Sequence, residues 1–384
     1  MKRRNFIEMG GLLAVSALPI KIFANTKFPA VEKKSDKHID FLHDGETLSP
    51  HEYSELLIRL VDDGKVKEDY YSNGGVVEEL EHKFASLLGK ESAVFMPTGT
   101  LANHIAIREL AQTNRRVIVQ EQSHLYNDSG DCCQTLSDLN LIPLGKGLAD
   151  FSLQEVTELN EKTKSGRVET HIGVIAIESP VRRMNDSMFG FENIKAISVY
   201  AQNNDIKMHM DGARLFVEAV HTGVNPVKYG EMFDTVYTSM YKCFNAPSGA
   251  ILAGSKKFTE KLFHTRRMFG GGLPAAWPFA AIALYYADSF MNDYKTAWLN
   301  ARKFFSLLEK ERFTISELEH GTHIVRLDIK GGNLIRFKDS LGKKNIQIHE
   351  PGENGFFLKI NPTINRIHPE TLAELFMYSL NESD

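Results

Sequence analysis

The chain has 384 residues, of which 42% are hydrophobic and 24% charged, enough apolar material for two ordinary domains with buried cores. Its net charge of −4 supplies no basic field, which argues against nucleic acid or an anionic membrane surface as a partner. The cysteines (Cys132, Cys133 and Cys243) and the scattered histidines lack the spacing of a disulfide framework or a metal site, so neither is expected.

The N-terminus reads as a targeting segment. Arg3 and Arg4 follow Lys2 in a twin-arginine pattern, and the apolar run from Met9 to Ile20 is too short to span a bilayer. Residues 1–26 are therefore expected to be a twin-arginine signal peptide and 27–38 a lysine-rich linker. Export of the folded chain would make it periplasmic, with no membrane association after signal removal; an unused signal would leave it in the cytoplasm. The ordered chain is expected to open with an arm at Ile39–Asp44, then a helix over Leu48–Asp62 announced by Ser49 and Pro50. Glu68 to Gly75 is rich in turn residues, and Val76–Leu88 has helical spacing that stops at Gly89.

Short β-like runs then alternate with helices. Strands are predicted at 92–96, 116–120, 139–144, 171–178, 206–210, 235–239 and 250–254, with a helix opening at Leu101. This alternation predicts a mainly parallel α/β sheet, in which ligands gather at the strand C-termini. The glycines at 270–272 interrupt the pattern, and helices are predicted over 275–289 and 294–311. A smaller C-terminal unit would follow, with strands near 323–328 and 356–360 and a last helix at 369–380. The expected divisions are 39–74 (arm and helix), 75–295 (large domain) and 296–384 (small domain).

Chemistry-bearing residues fall at several predicted strand ends. After 92–96 come Thr98, Gly99 and Thr100, whose hydroxyls and helix-start N–H groups suit a phosphate. After 116–120 comes His124, placed to lie against a flat ring. Strand 206–210 delivers Asp211, Gly212 and Arg214; a buried carboxylate there needs a cation, such as a protonated ring nitrogen. After 235–239 comes Lys242 in an apolar setting that favours a nucleophilic amine. Singly, each has an ordinary reading: a threonine N-cap, a loop histidine, an Asp211–Arg214 corner pair, an exposed lysine.

Together these parts describe a site for pyridoxal 5′-phosphate, and their order becomes specific. The stretches Tyr70–Glu81, Phe95–Asn103, His209–Phe216, Lys242 with Ala246–Gly249, and Gly270–Gly272 resemble the threonine aldolase group of the β-eliminating lyases. The resemblance runs from about Ile39 to the C-terminus. It implies a pyridoxal phosphate-dependent transferase-like α/β fold, with a large mainly parallel sheet domain and a smaller C-terminal α+β domain. By the same resemblance Lys242 bonds the cofactor, Asp211 keeps its ring nitrogen protonated, and His124 stacks on the ring and serves catalysis. Thr98, Gly99 and Thr100 hold the phosphate, and Arg214 lies near the ring oxygen and the substrate carboxylate. Arg267 reaches toward a neighbouring subunit's site, so a homodimer or homotetramer is expected.

Departures from the family pattern concern the substrate. Where the family shows Glu-Asn-Thr-His, this chain has Glu178, Ser179, Pro180 and Val181. A serine of the arm is replaced by His43, Tyr241 stands where the lysine is usually preceded by serine, and a carboxylate-binding arginine is replaced by Lys359. The expected activity is aldol cleavage of a β-hydroxy-α-amino acid to glycine and an aldehyde, with an amino acid as substrate and His124, His43 or water as base. The alternatives are β-elimination, racemisation or transamination with the same cofactor, or a non-catalytic cofactor-binding homologue.

Overall fold

The computed structural model describes residues 38–384. The expected signal peptide and all but the last residue of the linker lie outside them. Seven strands build the large sheet: β2 (Ser92–Met96), β3 (Arg116–Gln120), β4 (Asn140–Leu144), β5 (Ile172–Glu178), β6 (Lys207–Asp211), β7 (Thr235–Ser239) and β8 (Ala250–Gly254). Their order is β2-β8-β7-β6-β5-β3-β4. β4, β3, β5, β6 and β7 pair in parallel, and β8 runs antiparallel to both β7 and β2. Every residue of β5, β7 and β8 is buried, as expected of strands covered by helices on both faces.

The reversal of β8 has a consequence for the site. Because β7 and β8 are antiparallel neighbours, the chain between them turns at the C-terminal edge of the parallel strands. Lys242 sits in that turn. β2 runs in the same direction as the parallel strands, so its C-terminus reaches the same edge. Six chain segments, those that follow β2, β3, β4, β5, β6 and β7, therefore leave one edge of the sheet together.

Local signals set the helices that flank this edge. Helix α1 (Pro50–Asp62) starts with a capping box in which Ser49 accepts from Glu52 N–H and Glu52 accepts from Ser49 N–H. Helix α2 (Gly75–Leu87) buries Val76, Val77, Leu80 and Phe84 in the main core. Helix α3 (Gly99–Ala111) is capped by Thr98, whose hydroxyl accepts from Leu101 N–H at 3.2 Å. The helix thus opens two residues before the expected Leu101, because the cap lies directly behind the strand.

A second, three-stranded sheet of order β12-β10-β9 contains β9 (Phe313–Glu317), β10 (Ile324–Ile329) and β12 (Gly355–Lys359), all antiparallel. The arm joins this part of the molecule. Its strand β1 (Ile39–Asp40) pairs in parallel with β11 (Ile346–Gln347), and Ile39 and Phe41 are buried in the core made by residues 297–380. Complete burial of such side chains contributes about 1.5–3 kcal/mol each. Helix Phe290–Leu307 spans both cores: Phe290 and Tyr294 pack in one, and Ala297, Ala301 and Phe304 in the other. All three cysteines are free. No described helix is long and apolar enough to cross a membrane.

Candidate active site

The strand ends enclose a cavity lined by Gly99, Thr100, Asn103, His124, Glu178, Arg182, Asp211, Ala213, Arg214, Tyr237, Tyr241 and Lys242. Larger hollows exist, one of about 660 Å³ near Lys90, Lys207 and Lys257, but none of them contains this set of strand-end residues. The register explains the convergence. Glu178 of β5 pairs with Asp211 of β6, and Asp211 pairs with Tyr237 of β7, so one rung of the sheet ends in three cavity-lining side chains.

Asp211 is 8% exposed and is held from two sides. Asn103 Nδ2 donates to Asp211 Oδ2 at 2.6 Å, and Ala213 N–H donates to Oδ1 at 3.2 Å. Asn103 is positioned in turn by His209, whose Nε2 lies 2.9 Å from Asn103 Oδ1 while Nδ1 lies 2.9 Å from Thr235 Oγ1. Burial pushes the His209 pKa down to about 4, so the ring is neutral and its Nε2–H donates to Asn103. Asn103 was legible only as part of α3; its role comes from a partner more than a hundred residues away. The Asp211–Arg214 corner pair is not formed.

Lys242 makes no ion pair within 4 Å among the described residues, its closest charge–ring contact being Tyr241 at 5.4 Å. Burial lowers the Lys242 pKa, helped by the Arg214 charge and opposed by Asp211, Asp44 and Glu178. The loop is fixed by close packing: a Cβ on Gly45 of the arm would lie 2.3 Å from the Lys242 carbonyl oxygen. Gly99 meets the same constraint at the helix start, where a Cβ would lie 2.0 Å from the Tyr237 hydroxyl. Thr98 is exposed and serves as the cap, whereas Gly99 and Thr100 reach the cavity.

Glu178 was not singled out as a site residue, yet it stands at the centre of the rung. Its carboxyl accepts from His124 N–H at 2.5 Å and from Arg182 N–H at 3.0 Å, tying two loops to the strand end. Burial and the neighbouring Asp211 raise its pKa to about 8. His124 lines the cavity, and its Nδ1 is buried with no protein partner among the described residues. Val181 is fully buried and does not line the cavity.

Of the residues expected to meet the substrate carboxylate, Arg214 lines the cavity, whereas His43 and Lys359 do not. Arg214 is only 4% exposed, with its guanidinium 2.9 Å from Asp44 and 3.4 Å from Asp186. Lys359 Nζ is 2.8 Å from Asp44, as its second partner Asp186 lies at 3.9 Å. His323 Nε2 lies 2.9 Å from Asp44 Oδ1. Burial alone would raise the Asp44 carboxyl, but Arg214, His323 and Lys359 outweigh it and hold it well below the usual range. Asp44, Asp186 and His323 bring metal-ligand atoms within 4.8 Å of one another, and Arg214 and Lys359 already supply the positive charge there. His43, with a side chain 56% exposed, bonds Asp40 at 2.8 Å and does not line the cavity; its neighbour Asp44 turns inward instead. Arg267 is exposed and lies over the Tyr71 ring at 4.6 Å, outside the cavity of its own chain.

Comparison with known proteins agrees with this arrangement. Residues 60–330 match the model of the beta-eliminating lyase family. The low-specificity L-threonine aldolase of Candida albicans is 26% identical over 280 residues, covering 72% of this chain and 74% of that one. The corresponding enzyme of Saccharomyces cerevisiae is 29% identical over 221 residues, covering 57% of this chain and only 56% of the yeast one. A Listeria monocytogenes protein provisionally named an L-allo-threonine aldolase superposes with a TM-score of 0.70 at 25% identity, covering 92% of this chain and 98% of that one. The fold is thus the pyridoxal phosphate-dependent transferase-like fold, with a large, mostly parallel sheet and a smaller C-terminal sheet. The match of strand-end residues, sheet order and family model together means that this chain belongs to the beta-eliminating lyase family.

Proposed function

We propose that the protein is a pyridoxal phosphate-dependent lyase that cleaves a β-hydroxy-α-amino acid to glycine and an aldehyde. The observation that carries this reading is the meeting, in one cavity, of a desolvated Lys242 without an ion pair, a fixed Asp211, and His124 with a buried, unpartnered Nδ1. These residues fit the cofactor. Gly99 and Thr100 would hold its phosphate at the start of α3, Thr98 contributing by capping that turn. Asp211, oriented by Asn103 and His209, would keep a proton on the ring nitrogen. His124 would cover one ring face and Lys242 would bond the aldehyde carbon. When bound, the cofactor supplies an electron-withdrawing ring that takes up the electron pair released from a Cα bond.

The chain's own groups then position and move protons. Lys242 would give way to the substrate amine and would hold a proton beside Cα. His124 Nδ1 takes the β-hydroxyl proton, since Val181 and His43 do not line the cavity. Arg267 would serve the site of a second copy in a homodimer or homotetramer. Residues 1–26 would direct twin-arginine export to the periplasm; fractionation should move the chain to the cytoplasm when Arg3 and Arg4 are both changed to lysine.

The test of the activity is direct. Purified protein should be yellow and should release glycine from threonine, allo-threonine or phenylserine. Lys242→Ala should lose the colour and about 10⁴-fold or more of the rate. A yellow protein that forms pyruvate from serine, or racemises or transaminates amino acids without releasing glycine, would replace cleavage with another reaction of the same cofactor.

A further inference from the structure

Two carboxyl groups stand side by side on one rung of the sheet, and the reading above uses only Asp211. The other, Glu178, is buried without a cation of its own: the nearby guanidinium groups of Arg182 and Arg214 pair with Asp128 and Asp44 instead. Burial and the Asp211 charge push its pKa up, and two main-chain N–H bonds pull against that shift. A buried carboxyl is costly unless donors of this kind compensate it. The donors are His124 N–H on Oε2 and Arg182 N–H on Oε1.

The two N–H groups explain why a carboxyl stands here. They arrive from different loops, one after β3 and the other after β5, and each takes a separate oxygen. A carboxyl offers acceptor capacity on both oxygens, whereas an amide of the same size accepts on one atom and only donates from the other. The strand end that carries Glu178 is itself clamped. The β3–β5 ladder pairs residues only as far as Ile118 and Ile175. Beyond it the fully buried Gln120 side chain takes over: its Nε2 donates to the Glu178 carbonyl at 2.7 Å, and Glu178 N–H donates to its Oε1 at 2.9 Å. The Gln120 carbonyl accepts from Ser123 N–H at 3.0 Å and from the Ser123 hydroxyl at 2.8 Å, one residue before His124. The His124 main chain is thus fixed from two strands, while its Nδ1 has no protein partner among the described residues.

From this we infer that Glu178 is a positioning residue: by holding the His124 N–H it sets where the His124 ring lies against the cofactor and where Nδ1 meets the β-hydroxyl. The assignment rests on the cofactor reading above. Its test is a double-mutant cycle on the holoenzyme at saturating pyridoxal 5′-phosphate. Glycine release from phenylserine gives the rate, and the circular dichroism of the bound cofactor gives a reading that needs no turnover. Glu178→Gln keeps the side chain's size but can accept only one of the two N–H groups. It should keep the wild-type cofactor content, change the intensity of the cofactor's dichroic band, and lower kcat about tenfold to a hundredfold with KM changed less than about threefold. In a His124→Ala background, which has no ring to misplace, the same change should cost less than about threefold.

An unaltered kcat and dichroic band in Glu178→Gln overturn the assignment. So does an equal loss in the His124→Ala background, because Glu178 then acts by another route. Loss of cofactor together with a lower urea midpoint marks a structural role only and overturns it as well. A coloured wild type that releases no glycine removes the cleavage reading, and the dichroic band then decides the assignment by itself. A wild type that stays colourless with added cofactor overturns the cofactor reading, and the assignment with it.

Discussion

The two sides of the cavity are built in opposite ways. On the sheet side, Gly99, His124, Glu178, Asp211 and Lys242 each stand at or just beyond the end of a strand, and the parallel register brings them together. Their placement follows from short local stretches. On the arm side, Asp44, Asp186, Arg214, His323 and Lys359 come from separate elements, and Asp44 lies 279 and 315 residues from two of its partners. Among the described residues, the first side presents polar groups with spare capacity: an amine without an ion pair and a ring nitrogen without a partner. The second is electrostatically closed. A charged residue beside a site motif can already have its counter-charge from a distant segment, as Arg214 has from Asp44.

Two substitutions of similar chemistry should separate the sides. Asp44→Asn would leave Arg214 and Lys359 short of a carboxylate inside the protein. It should cost about 3–5 kcal/mol of stability, read as a lower urea midpoint of the apoprotein. Loss of turnover with an unchanged midpoint would instead make Asp44 part of the substrate site and break the comparison. Asp211→Asn, on the sheet side, should show the reverse pattern: a fall in turnover on the order of 10²–10³-fold with a much smaller change in midpoint.

The pH dependence should follow the same division. The Asp44 pKa is depressed in the folded chain, so its stabilising effect is complete above the ordinary carboxylate range and is lost as pH falls through and below it. Thermal scans should therefore show the wild-type midpoint dropping below about pH 4, while Asp44→Asn drops less over that interval. Parallel acid slopes for the two proteins would remove Asp44 from the account. The smallest effect concerns neither side of the cavity: Ser49→Ala should destabilise the chain by about 1 kcal/mol by removing the cap of α1.

Much of this molecule was legible in order. The strands at 92–96, 116–120, 235–239 and 250–254 stand where apolar runs bounded by turn residues placed them. Strand β9 and the helix Leu334–Gly342 were not read in advance. β9 buries only its first residue, Phe313, and that helix has only nine residues, so neither offers a long apolar period. The direction of β8 was not legible either. Its residues are all buried, and an unbroken apolar run has no feature that distinguishes a parallel from an antiparallel neighbour.

Sequence alone placed Gly99, Thr100, Asp211 and Lys242 at or just beyond strand ends, because a strand, its terminal residue and the following helix cap are encoded within a few consecutive positions. Singly, Asp211, Lys242 and the Thr98–Thr100 turn each kept an ordinary reading; their order along the chain set them apart as a group. Tertiary structure alone decided which charges are spent. It turned Asp44 inward, left His43 bonded to Asp40, and paired Arg214 and Lys359 with buried carboxylates. The physical reason is range: hydrogen-bonding and apolar periodicity act along the chain, whereas the pairing of buried charges depends on which distant segments the fold brings within a few ångströms.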